Sequence, residues 1–239
     1  MPSIINFSIC QVASIGVSDT IGESNNGLNL EKFEEVIIYS QNFWLQIESS
    51  TGTEVFDFDD EQNRTLRKFG GTVDSMFDPK TRATVIQKSK LTDEQTQVIN
   101  DFYKGLPKVS FTAVEESEEK VVQYVASTLK VTLKVDNWDD EDVQQFSKQE
   151  TITYDNVVPE TELKKANKIY VVASDGTNIY GITALLMRDF DNEETPGEQT
   201  IEMKVFMHKV GNQGITVNGY LDTHRGCDFK GTFNITVHE

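Results

Sequence analysis

Reactive side chains are few in this chain, and their spacing limits the chemistry they could share. His208, His224 and His238 are its only imidazoles, and Cys10 and Cys227 its only thiols. His224-Arg225-Gly226-Cys227, with Asp222 and Asp228 close by, is where an imidazole falls nearest a thiol in sequence. Such a pair makes a nucleophile when the imidazole takes the thiol proton. Neighbours in sequence need not face each other, however, and the plainer reading is a polar turn around a partly buried cysteine. Zinc is not indicated, because the chain has neither His-x-x-x-His nor Cys-x-x-Cys spacing. A Gly-x-Ser-x-Gly nucleophile elbow and a phosphate-cradling Gly-x-x-x-x-Gly-Lys are also lacking.

Carboxylates are abundant by contrast. They gather at Glu54 to Glu61, at Glu115 to Glu119, at Asp136 to Asp142 and at Asp189 to Glu194. Loops of this kind converging between strands would suit Ca²⁺, which takes six to eight oxygen ligands. Asp189, Asp191 and Glu193 are the best candidates for a calcium site, since alternate side chains of an extended segment point the same way. None of the clusters has the Gly-bearing spacing of an EF-hand loop, and the plainer reading is solvated loops that confer solubility. Trp138, inside the third cluster, has two readings. An exposed indole there would stack on a sugar or anchor an interface, whereas a buried one would cover the edge of the core. Trp44 reads as core.

The charge balance bears on partners. Lys and Arg number 22 against 39 Asp and Glu, giving a formal charge of -17. A surface of that sign repels phosphate, so nucleic acid and anionic headgroups are not expected, and cations or basic protein surfaces are. Two cysteines in 239 residues read as reduced thiols, and Met1 to Ser8 lacks the basic and apolar regions of a secretion signal. A cytoplasmic location is therefore expected. No stretch approaches the roughly 18 apolar residues of a membrane-spanning helix. Alternating segments such as Gln123 to Val135 and Ile215 to Thr223 have the period of a membrane hairpin, as soluble strands also do, so membrane contact stays open.

The elements that must position these residues are mostly strands. Phe229, Phe233, Ile235 and Val237 alternate with Lys230, Thr232, Asn234 and Thr236. Ile201, Met203, Val205 and Met207 alternate likewise with Glu202, Lys204, Phe206 and His208. Gly231 marks a close approach or a bulge, and Gly211 to Gly214 supplies turn residues. Asp175-Gly176 predicts a hairpin between Ile169 to Ala173 and Asn178 to Leu186, strands apolar on both faces and hence central. Leu129 to Val135 and Val109 to Ala113 look half-exposed. One clear helix is expected over about 92–104, with Thr92 and Gln95 in capping-box spacing and Gly105 and Pro107 beyond its end. A short second helix is expected over about 159–166. Leu30 to Ile47 fits both periods, and its aromatic and β-branched content favours strand from about Glu35.

The expected fold is mainly β, an antiparallel β-sandwich-like architecture in a single domain over 1–239, with 91–119 the place where two lobes would divide. The expected function is that of a non-enzymatic structural or interaction protein, a homo-oligomer or the partner of another protein, associating through strand edges. A membrane-active, pore-forming β-protein and a Ca²⁺-dependent carbohydrate- or protein-binding module are the alternatives.

Overall fold

The computed structural model describes residues 29–38, 41, 76, 78–89, 91–117, 120–148, 150–154, 161–165, 167–224 and 226–239, with 150–154 and 161–165 described by their backbone alone. Cys10, Trp44 and the Glu54 to Glu61 cluster lie outside the described residues.

Among the described residues, helix α1 covers 30–38, with Gln41 also helical; α2 spans Pro79–Ser89, α3 Asp93–Lys104 and α4 Glu141–Ser147. The strands are β1 Val109–Glu116, β2 Ala126–Val135, β3 Glu150–Tyr154, β4 Thr161–Lys165, β5 Lys168–Ser174, β6 Ile179–Leu186, β7 Glu198–Phe206, β8 Gly211–Leu221 and β9 Phe229–Val237. Two antiparallel sheets face each other, one in the order β1-β2-β7 and the other in the order β6-β5-β8-β9. The mainly β, sandwich-like fold read from the alternation is the fold observed.

Burial follows the pleat. Leu129, Val131, Leu133 and Val135 of β2, Met203 and Val205 of β7, Ile169, Val171 and Ala173 of β5, and Ile215 and Val217 of β8 fill one core between the sheets. Helix α3 adds Ile99 and Tyr103 to it. Its start is the capping box expected from sequence: the Gln95 amide donates to Thr92 Oγ1 at 3.2 Å, and the Thr92 amide to Gln95 Oε1 at 3.0 Å. Val98 of the same helix is 48% exposed.

The sandwich is closed at both sides. Edge strand β6 runs beside edge strand β7, and β9 beside β1. On the β9 side the Phe111 ring lies 4.7 Å from Phe229 and 6.3 Å from Phe233, whose own ring covers Gly231. This is the close approach that the glycine suggested. On the β6 side, Gly181 lets the two backbones meet, because a Cβ there would collide with the Lys204 carbonyl oxygen. The four edges of the main sheets are thus covered by one another, so the expectation of edges free for lateral association does not hold for them.

Three local expectations are corrected. Residues 30–38 are helical, because Leu30, Phe33 and Ile37 share one face and a sheet surface receives it, so tertiary packing overrides the strand propensity of the segment. The remainder of the ambiguous stretch lies outside the described residues, apart from Gln41. Residues 161–165 form strand β4 rather than a helix: their backbone pairs in register with β3, from Thr161 with Tyr154 to Lys165 with Glu150. So short a segment gains little as an isolated helix, whereas a ladder satisfies its backbone at once. Gly211 to Gly214 is not a turn but the first part of β8, paired with Asn234 to Val237; Gly211 alone has positive φ, +99°.

Gly181→Ala is expected to destabilise the protein by about 1–3 kcal/mol, since backbone rather than a flexible side chain must give way. Urea unfolding of the variant and the parent measures it.

Candidate functional site

An aromatic corner forms at one end of the sandwich, where the turn over 121–125, the end of β7 and the β5–β6 hairpin come together. The turn is fixed by its backbone. The Gln123 amide donates to the His238 carbonyl at 2.8 Å, Tyr124 to Met207 at 2.9 Å, and Val125 to Val122 at 3.3 Å. Ser127 Oγ accepts from the Val122 amide at 3.1 Å, and the Gln123 side-chain amide donates to the His208 carbonyl at 2.8 Å. With so many bonds to neighbours, Tyr124 is held at φ +58°, a left-handed conformation unfavourable for a side chain of its size. The residue is 62% exposed.

Phe206 and His208 stand two residues apart at the end of β7 and meet the Tyr124 ring. Tyr124 lies 6.4 Å from Phe206 and 6.0 Å from His208, and Phe206 and His208 are 5.2 Å apart at 75°. Tyr180, buried at the start of β6, lies 6.4 Å from His208. Exposed Val125 and Val210 are neighbours in sequence of this cluster.

Asp175 organises the hairpin beneath. Its carboxylate accepts from the amides of Thr177 at 3.0 Å and Asn178 at 2.7 Å, from the Asn178 side chain at 3.0 Å, and from the Tyr180 hydroxyl at 3.0 Å. Burial pushes this carboxyl up, but those donors together outweigh it and hold the pKa at about 2. Burial, and then the bond to Asp175, raises the Tyr180 phenol to about 12. The Asp-Gly hairpin signal is therefore confirmed, with Gly176 at φ +93°.

The residues chosen from sequence are not brought together. Asp189 lies in a 3₁₀ turn, Met187–Phe190, and its carboxylate accepts from the Leu186 amide at 2.8 Å. A 3₁₀ turn rotates successive side chains by about 120°, so the alternation argued for Asp189, Asp191 and Glu193 does not apply across it. Glu193 instead lines an open recess of about 430 Å³ bounded by residues 192–195 and 198–200. Among the described residues, no three His, Cys, Asp or Glu side chains are grouped so as to hold a metal ion.

Trp138 is 7% exposed, packed 6.3 Å from Phe190, with Gly197 so close that a Cβ there would lie 2.6 Å from the Trp138 Cβ. Of its two readings the structure supports the core one. Cys227 is free and buried, and burial, then the Asp228 charge, pushes its thiol well above the ordinary range. The His224 imidazole is held by Thr223 Oγ1 at 2.9 Å and by the Phe146 ring at 4.8 Å. Neither group has the surroundings of an activated nucleophile.

Sequence reasoning missed Tyr124, named His208 only as one of three imidazoles, and set Phe206 and His208 opposite the apolar residues of their alternating strand. An aromatic ring and an imidazole in the polar set of an alternating strand were the available signal. No helix among the described residues is long and apolar enough to cross a membrane. The segments read as a membrane hairpin, β2 and β8, lie in different sheets and bury one face each in the same core.

No family model matches the chain, and no curated protein matches it. Among solved structures, the chain is similar to the alkylpurine DNA glycosylase AlkC of Pseudomonas fluorescens, bound to DNA containing an abasic site analog. Identity is 9% and the TM-score 0.24, with 90% of this chain covered and half the length of that one. Against this finding, the expected self-associating protein with protein partners and no nucleic acid is corrected and not carried forward. At this TM-score the likeness carries no argument about what this chain binds.

Asp175→Ala is expected to cost on the order of 1 kcal/mol, because it frees the hairpin's amide donors. The folded pKa lies below the unfolded value of roughly 3.9, so the carboxylate's contribution is complete above about pH 4 and is lost as pH falls toward 2. Thermal unfolding of Asp175→Ala and the parent should accordingly differ at pH 6 and converge near pH 2.

Proposed function

We propose that this protein binds a small uncharged ring compound by stacking it on the corner formed by Tyr124, Phe206 and His208. The observation that carries this reading is Tyr124, exposed yet held in a costly backbone conformation by five hydrogen bonds in and around its turn. Strain of that kind persists where the surroundings over-determine it, and it clusters at ligand clamps.

The chemistry around the ring favours a neutral ligand with hydrogen-bonding edges. Among the described residues, the Tyr124 hydroxyl, the His208 ring nitrogens and Gln123 Oε1 have no hydrogen-bond partner, so each is available to a ligand hydroxyl or amide. Asp175 is occupied by its own hairpin. A chain of net charge -17 disfavours anions, which argues against phosphorylated ligands. Methyl pyranosides and nucleosides both present an apolar or π face with polar edges, so both serve as probes. This reading requires no calcium.

Stacking on one ring contributes about 1–3 kcal/mol, so with a few hydrogen bonds a Kd of roughly 0.1–1 mM is expected. In an NMR titration, the Tyr124 and His208 ring signals should move with one of the two probe classes. Tyr124→Ala should weaken that binding at least tenfold. Ring signals that stay still with every pyranoside and nucleoside would discard the reading.

A second measurement separates site from scaffold. Tyr124→Gly relieves a left-handed side chain and is expected to raise stability by about 1 kcal/mol in urea while abolishing binding. A residue kept only for folding would show the opposite sign.

A further inference from the structure

We infer that helix α1 is a separately detachable strap that holds the β5–β6 hairpin, and through it the aromatic corner, in position. Like most helices in proteins, α1 is held by the packing of its apolar face rather than by propensity. Its docking surface is not the main core. Leu30, Phe33 and Ile37 pack on Tyr170, Val172 and Tyr220 of the outer sheet face, an apolar cluster distinct from the one between the sheets. Phe33 sits 5.9 Å from both the Tyr170 and the Tyr220 ring.

Polar pins fix the strap at separate points. The Tyr220 hydroxyl donates to Glu34 Oε1 at 2.6 Å. At Gln41, which is also helical, the buried side-chain amide donates to the carbonyls of Leu221 at 2.7 Å and His224 at 3.2 Å. At the other end the Leu30 amide donates to the Thr177 carbonyl at 3.0 Å. That last bond ties the strap to the hairpin whose Asp175 holds Tyr180, and Tyr180 touches His208.

Releasing α1 would therefore leave the sandwich core closed while freeing the hairpin tip and the ring beneath the corner. Only this last link rests on the reading of the corner as a binding site; the separate release of strap and hairpin does not.

The test is hydrogen exchange of the full chain, without ligand, comparing the parent with Phe33→Ala and Tyr220→Phe. In Phe33→Ala, amides of 30–38 and of Asp175, Thr177 and Asn178 should exchange at least tenfold faster, while those of 129–135 and 201–205 keep the parent's rates. The Tyr180 and His208 ring signals should shift with them. Tyr220→Phe keeps the ring and removes only the hydroxyl, so it should give a severalfold change of the same pattern, and it serves where Phe33→Ala does not fold. Acceleration of all these amides together would overturn the inference, since α1 would then belong to one cooperative unit. Faster exchange in α1 with an unchanged hairpin, or a faster hairpin with still Tyr180 and His208 signals, would overturn it as well. Because exchange is read without ligand, its outcome is independent of whether any ring compound binds.

Discussion

Strand β5 is buried on both faces, and the placement of the other layers depends on that constraint. Ile169, Val171 and Ala173 point into the space between the sheets, while Tyr170 and Val172 point outward into the surface that receives α1. A strand with two apolar faces cannot stand at a solvated surface, so something must cover each side. One side is met by the second sheet and the other by a helix. The hairpin that follows β5 then carries Asp175 and Tyr180 to the end of the sandwich.

Closure at both sides follows from small residues as much as from apolar ones. Gly181 admits the Lys204 carbonyl, and Gly231 lies under the Phe233 ring. Neither contact is a feature of composition; the first brings strands of different sheets together, and the second lies within β9, with Phe111 of β1 next to it. The acidic surplus, meanwhile, is partly structural. Asp140 caps α4 and pairs with Lys104 at 3.1 Å, Asp189 accepts from the Leu186 amide, and Asp175 closes a hairpin. Runs of carboxylates that resemble a cation site can instead serve the unpaired amides of turns and helix starts.

What the sequence revealed was what local rules govern. Period-two alternation located β2, β7 and β9, and the Thr92 and Gln95 spacing located the start of α3, because side-chain direction and capping are set within a few residues. The α1 segment escaped because its helical and strand periods were both satisfied, and the sheet surface that decides between them lies more than a hundred residues away. Residues 161–165 escaped although their partner β3 is close in sequence, because the pairing with β3, not any spacing within the segment, decides their conformation. The corner was harder still. Tyr124 gains its role from a backbone angle fixed by bonds to Met207, and through its neighbour Gln123 to His238, contacts that no spacing along the chain announces.

Burial of Cys227 has a consequence beyond its lack of reactivity. Its thiol lies 8% exposed between β8 and β9, with its proton held firmly by the apolar surroundings. An alkylating reagent must wait for that region to open before it can react. The rate at which this cysteine is modified is therefore a clock for the opening of the C-terminal strand pair, set into the protein without any added label.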